Sequence, residues 1–266
     1  MNAAFDVGAD DGFHGILFAF FNPKIEIYAF EPIKGSKKRI LKNLKRIENF
    51  FNIEIKNYKI INSAVSDYNG YTNFYETHYR VGSSLLKPKK KLNKFWIKSK
   101  DHLIKTIGQG IKMKKKYKVK VQTLENLCKT KSIKNINYLH IDAQGNDLRV
   151  IDGLKNFRKY VKNGVVEVVK SNKLKMYDNE QSFKDLRKKF KKWKFVITKI
   201  EEVQKNHPGV NVYFKYNNKI ASKKKEIIFN YPTKRFERMF RRIFIDQINL
   251  KDKIFILFWK LKIKLI

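Results

Sequence analysis

Short apolar runs of strand length alternate with helical stripes along most of this chain, and that alternation narrows the possible folds more than any other feature. Residues 4–7 read as a short strand, and residues 13–21 as a helix ended by Asn22-Pro23. Ile25, Ile27 and Ala29 alternate with Glu26, Tyr28 and Phe30 in a second strand that stops at Glu31-Pro32. Ile40, Leu44, Ile47 and Phe51 then recur at helical spacing among lysines, which predicts one apolar stripe on a solvated helix, before a third strand over 58–65. A short strand at 71–75 follows. Periodicity weakens through the Lys-rich stretch 76–120, read as a solvated insertion or lid. Order resumes with a strand over 117–122, a helix N-capped by Thr123, a strand over 137–142, a helix over 147–160 and a strand over 164–169. A last helix carries Phe183, Leu186, Phe190 and Trp193 on one face, ahead of a strand over 195–200.

Strands separated by helices are expected to be parallel. Residues 201–209 are too few for a crossover helix, so the strand over 210–216 is expected to run antiparallel. The expectation is an α/β fold with a seven-stranded, mostly parallel sheet, its last strand reversed and helices on both faces. Its core is affordable, because 266 residues with 42% hydrophobic content suffice for one α/β domain plus an appendage. The single Cys128 excludes an intramolecular disulfide framework and any cysteine-cluster metal site. No His, Asp or Glu group has metal-ligand spacing, so no metal is expected. The start lacks a basic segment ahead of an apolar one, and residues 16–21 are too short to cross a bilayer, which together predict a cytoplasmic protein.

The first chemical signal is Asp6-Val7-Gly8-Ala9-Asp10-Asp11-Gly12, ending the first strand and opening a helix. Glycines there let the backbone approach a ligand at the carboxyl edge of the sheet. A pyrophosphate site would want G-x-G-x-x-G, whereas this G-x-x-x-G is flanked by carboxylates that repel phosphate. Asp6, Asp10 and Asp11 suit instead a ligand with an ammonium and a sulfonium, such as S-adenosylmethionine. Glu31, at the end of the second strand, is placed to accept hydrogen bonds from ribose hydroxyls.

Five motifs in register resemble those of FkbM-family S-adenosylmethionine-dependent methyltransferases: residues 6–12, 28–32, 62–67 with Gly70, 82–85, and 140–147 with Gly153. The resemblance runs from about residue 4 to 217. It implies the Rossmann-like class I methyltransferase fold, S-adenosylmethionine as methyl donor, and O-methylation of a saccharide, glycolipid or other hydroxylated metabolite. By the same resemblance Asp6, Gly8, Asp10 and Gly12 line the methionine end of the cofactor, Glu31 holds the ribose, Asn62, Ser63 and Ala64 lie near the adenine, and Asp142 faces the transfer centre. The chain departs from the family pattern at Asp10, His140 and Asp147, where Asn, Lys and Glu are usual. Relatives usually carry residues ahead of the first strand, so a truncated start or an abbreviated member is expected, with one sheet edge poorly covered.

Strand alternation puts His140 and Asp142 on one face, two residues apart, which makes them the expected catalytic pair: Asp142 to orient or deprotonate the acceptor, His140 to assist or merely fill the strand. His78, Arg80 and Glu167 are weaker candidates. Residues 1–218 are read as the methyltransferase domain and 219–266 as a basic amphipathic tail, in which Phe236, Met239, Phe240, Ile243 and Phe244 alternate with Arg and Lys. Such a helix suits either a peripheral contact with anionic membrane or packing on the domain. The net charge of +36 opens a second class of function, a nucleic-acid-binding protein or RNA methyltransferase. Only 10 of the 60 basic residues are Arg, the better fork for phosphate and base edges, which disfavours it. A third reading is a non-catalytic relative.

Overall fold

The computed structural model describes residues 1–204, 207–217 and 229–245. In chain order the strands are β1 (Asn2–Val7), β2 (Glu26–Phe30), β3 (Tyr58–Ile61), β4 (Ala64–Val65), β5 (Gly70–Thr77), β6 (Met113–Gln122), β7 (Asn135–Ile141), β8 (Asn163–Val169), β9 (Phe195–Glu202) and β10 (Gly209–Tyr216). The helices are α1 (Phe13–Phe21), α2 (Ser36–Phe51), α3 (Lys94–Ile97), α4 (His102–Gly110), α5 (Leu124–Thr130), α6 (Asp147–Asp152), α7 (Phe183–Trp193) and α8 (Lys234–Phe244). Seven strands form the main sheet in the order β3-β2-β1-β7-β8-β10-β9. β10 runs antiparallel to both of its neighbours, while the other pairings are parallel. This is the Rossmann-like methyltransferase architecture, and the short 201–209 connection accounts for the reversed strand.

Burial divides the helices between two faces. Ile16, Leu17, Ile40 and Ile47 of α1 and α2 pack on Ala4, Ile27 and Ala29. On the other side Leu124, Ile151, Leu186 and Phe190 of α5, α6 and α7 meet Phe5, Leu139 and Phe214. Thr123 caps α5 as its side chain accepts the Asn126 N–H at 3.1 Å.

Three local readings change. The run 58–65 serves two sheets: Asn62 Nδ2 donates to the Glu31 carbonyl at 2.8 Å, the chain turns, and β4 leaves to pair with β6. The helix expected over 147–160 stops at Asp152 because Gly153 lies against Ser66, where a Cβ would stand 2.2 Å from the carbonyl oxygen; a 3-10 turn (Lys155–Tyr160) continues it. The Lys-rich insertion is ordered. β5 and β6 form an antiparallel hairpin, and α3 and α4 enclose a small core of Trp96, Ile104 and Ile107. Lysines face solvent there while Val119 and Val121 are buried, so charge hid a strand period that begins at Met113.

The basic tail changes most. Phe236, Met239, Phe240, Ile243 and Phe244, the face offered above as a membrane contact, are at most 3% exposed and packed against α1 and α2. The ring of Phe240 lies 6.0 Å from Phe13, 5.7 Å from Phe20 and 6.2 Å from Phe51. An amphipathic face gains as much from covering apolar helix surface as from lipid, and α1 and α2 present aromatic rings that need covering. Phe229 lies flat on Tyr138 of β7, 4.7 Å between centroids, and extends that cover onto the sheet. Residues 218–228 and 246–266 of the tail fall outside the described residues. Among the described residues no helix is long and apolar enough to cross a membrane. Truncating Phe240 to Ala is expected to cost about 3–5 kcal/mol, the range for a buried phenylalanine. Urea unfolding measures it; a loss under about 0.5 kcal/mol would mean that α8 is not part of the folded core.

Candidate functional site

The carboxyl ends of β1, β2 and β7 converge on one cavity, as open α/β sheets dictate. The β1–α1 loop passes so close to β7 that a Cβ on Gly8 would stand 1.9 Å from the Asp142 carbonyl oxygen, and its φ of 85° also demands glycine. The Gly8 and Ala9 N–H groups both donate to the Phe30 carbonyl at 3.0 Å, tying the loop to β2. Glu31 completes the tie, its carboxylate accepting the Asp10 N–H at 2.8 Å and the Ile33 N–H at 2.8 Å.

Of the residues expected at the cofactor, Gly8, Asp10, Glu31, Ser63, Ala64 and Asp142 line this cavity, as does His140. The other three act from behind it. Gly12 starts α1 with a φ of 88°, and Asn62 braces the end of β2 through its bond to Glu31. Asp6 is fully buried and points at β7, where its Oδ1 lies 2.8 Å from His140 Nδ1. Its reading as a cofactor ligand is thereby corrected: β1 and β7 are in register at Asp6 and His140, and a buried carboxylate takes the nearest donor. Arg80 reaches in from the insertion to pair with Asp10; His78 does not line the cavity.

Burial sets the electrostatics. Glu31 is pushed up to about 8 by loss of solvent, with the Ile33 N–H bond and the Arg39 charge pulling back. Asp147 is likewise pushed up to about 8 by burial and by Asp142; its oxygens accept the Ala143 N–H at 2.6 Å and the Gly145 N–H at 2.8 Å, folding the loop beneath Asp142. Asp142 itself is raised by burial, against the pull of His140 and of Gln144, whose Nε2 donates to it at 2.6 Å. Burial pulls His140 down, but the Asp6 hydrogen bond and the charges of Asp6, Asp142 and Asp147 outweigh it and hold the imidazole above its ordinary range.

A second opening, a groove of about 1050 Å³, lies on the α1 side of β7, β8 and β10. It is lined by Glu167, Glu201, Asn211, Tyr213 and Tyr231 among others, and it shares His14, His140 and Asp142 with the first cavity. Sequence reasoning missed His14, whose ring lies 4.4 Å from that of His140 and whose basicity burial and His140 press down to about 3. Nothing in its local pattern marks it, since a helix packing decides the contact. Gln144 was legible in its motif but not its role, which is to hold Asp142; Tyr177, whose hydroxyl donates to the Gly82 carbonyl at 2.7 Å and lies 3.2 Å from Gln144 Oε1, links that pair to the insertion.

The family described as Methyltransferase FkbM domain matches residues 6–197. The 2-O-methyltransferase NoeI of Sinorhizobium fredii is 22% identical over 157 residues, 56% of either chain. The crystal structure of methyltransferase FkbM from Methylobacillus flagellatus superposes with a TM-score of 0.50 at 11% identity, covering 80% of this chain and 43% of that one. The chain thus spans about half the length of these relatives.

The cavity fits S-adenosylmethionine. Its glycine cradle admits backbone contact, and its buried carboxylates gain from a cationic ligand and from hydroxyl donors. Each Glu31 oxygen, once ionised, keeps a lone pair for a ribose hydroxyl. Binding through those hydroxyls favours the ionised form, so affinity for S-adenosylhomocysteine is expected to rise with pH and level off above about 8, where Glu31 is already ionised. Calorimetric titration at several pH values checks this, and Glu31→Gln is expected to bind weakly with that rise removed.

Proposed function

The chain belongs to the FkbM family of S-adenosylmethionine-dependent methyltransferases, and we propose that it transfers the methyl group to a hydroxyl oxygen of a saccharide or glycolipid. One observation carries the reading: His14, His140 and Asp142 line both the cofactor cavity and the groove, so a base and an orienting carboxylate stand where the two openings meet. The bound cofactor supplies a methyl group on a sulfonium, open to in-line attack. What the protein must add is an acceptor oxygen held at near-attack distance and a place for its proton.

Asp6 provides the second through His140. A carboxylate only accepts, so the proton of the 2.8 Å contact sits on Nδ1, which leaves the Nε2 lone pair as the base. The Asp6 charge stabilises the imidazolium that forms. Asp142, its Oδ1 held by Gln144, orients the hydroxyl, and neutral His14 packs against His140 without competing for the proton. The groove exceeds ~1000 Å³, the upper end for small-molecule sites. Its five acids outnumber Lys199, Lys234 and Arg238, and with Asn211 and two tyrosines they suit a polyhydroxyl acceptor better than a phosphate backbone. The name of the 2-O-methyltransferase relative supports transfer to oxygen.

His140→Asn is expected to lower turnover about 100-fold or more while S-adenosylhomocysteine binding stays within about twofold. Full turnover in that variant would remove the base assignment. At saturating cofactor, which holds Glu31 ionised, the acid limb of kcat/KM for the acceptor against pH reports His140. Asp6→Asn removes the group that raises it, so the limb moves to lower pH and the maximal rate drops. For the acceptor, tritiated methyl groups from the donor are counted in glycan, lipid and RNA fractions of a cell extract. Alkali-stable label in glycan or glycolipid is expected, and label confined to RNA would sink the reading.

A further inference from the structure

Three arginines approach the cofactor cavity, and they are not equivalent. Arg80 pairs with Asp10, and its NH2 also donates to Asp10 Oδ2 at 3.1 Å. Arg39 lies 3.5 Å from the same carboxylate and donates to the Asp10 carbonyl at 3.2 Å and to Ser36 Oγ at 2.9 Å. Both are therefore answered by the β1–α1 loop and its surroundings. Arg241 is different. It lines the cavity from α8, beyond the residues 6–197 that the family matches, with its guanidinium 3.8 Å from the centroid of the Phe13 ring. Among the described residues no carboxylate lies within ion-pair distance of it; Asp11 of the β1–α1 loop, which also lines the cavity, feels its charge without such a contact. An arginine carbon this close to a ring face is held by the aromatic ring, and a guanidinium held so can keep its N–H donors for a carboxylate.

S-adenosylmethionine brings such a carboxylate. Its adenosine, sulfonium and ammonium are matched by Glu31, Asp142 and the loop, but its methionine carboxylate would meet an acid-rich wall unless a cation stood there. Of the cations lining the cavity, Arg80 is answered by Asp10 and His140 by Asp6. We propose that Arg241 is a cofactor-binding residue that receives the methionine carboxylate, so that α8 completes the cofactor site as well as the core. The packing of Phe236, Met239, Phe240, Ile243 and Phe244 on α1 and α2 is what delivers the guanidinium to Phe13. The proposal rests on the cofactor's identity and is independent of the acceptor.

The test is a cycle between protein and ligand, read by calorimetry on the full chain. S-adenosylhomocysteine is compared with its decarboxylated analogue, which keeps the nucleoside, the sulfur and the amine. Wild type is expected to prefer the carboxylate-bearing compound by about 10- to 100-fold, the usual range for one charge-assisted hydrogen-bonded contact. In Arg241→Gln that preference is expected to shrink to within about twofold, with the decarboxylated analogue bound as in wild type. Arg241→Lys, which keeps the charge and loses the fork, is expected to fall between, and it serves alone if the Gln variant does not fold by thermal melting. Arg242→Gln, one residue on, is expected to keep the full preference. An unchanged preference in the Gln variant, or in the Lys variant where that stands alone, would overturn the assignment, as would equal weakening of both ligands. Failure of wild type to bind either compound would strike the cofactor itself and take the proposal with it.

Discussion

The ligand edge of this sheet is organised by the 2.8 Å contact between Asp6 and His140. A fully buried carboxylate is costly, and here one imidazole on the adjacent parallel strand answers Oδ1 while Oδ2 has no hydrogen-bond partner. The contact fixes more than two side chains. α1 crosses Asp6 at Gly15, where a Cβ would stand 2.7 Å from Asp6 Oδ2, so helix, strand and histidine are mutually positioned. With β1 locked to β7, the loop at Gly8 rests on Asp142, and the cofactor cavity and the groove become two sides of one junction.

Much of this was legible in the residues themselves. The β1–α1 and β7 motifs, the Glu31 position and the reversed final strand follow from spacing and connection length, which are local quantities. α1 begins at Phe13 and ends at Phe21, as its glycine start and Asn22-Pro23 stop require. What was hidden depends on register or on packing between distant segments. Asp6 belongs with the acids of its own loop by sequence, and only the pairing of β1 with β7 turns it toward His140. His14 and Arg241 matter because helices bring them to the site, and neither carries a local signature. The amphipathic stripe of α8 has the same pattern whether it meets lipid or aromatic helix faces, so periodicity left both open.

Charge is distributed against the overall balance. Lysines on the β5–β6 hairpin and the helix surfaces face solvent, whereas the carboxylates of Glu31, Asp142, Asp147 and Glu167 are gathered where burial raises all four. A cationic protein thus gathers buried acids whose ionisation burial resists, so that a cationic ligand gains by drawing out their charge. The residues that temper it, Arg39, Arg80 and Arg241, come from three separate parts of the chain.

The seating of α8 on α1 and α2 also has a consequence for how the molecule is made. The rings of Phe13, Phe20 and Phe51 leave the ribosome well before the helix that covers them, which ends at Phe244. Until that helix is made the aromatic surface has no native cover, and closing it requires contacts across about two hundred residues, the kind of non-local step that slows folding and invites association.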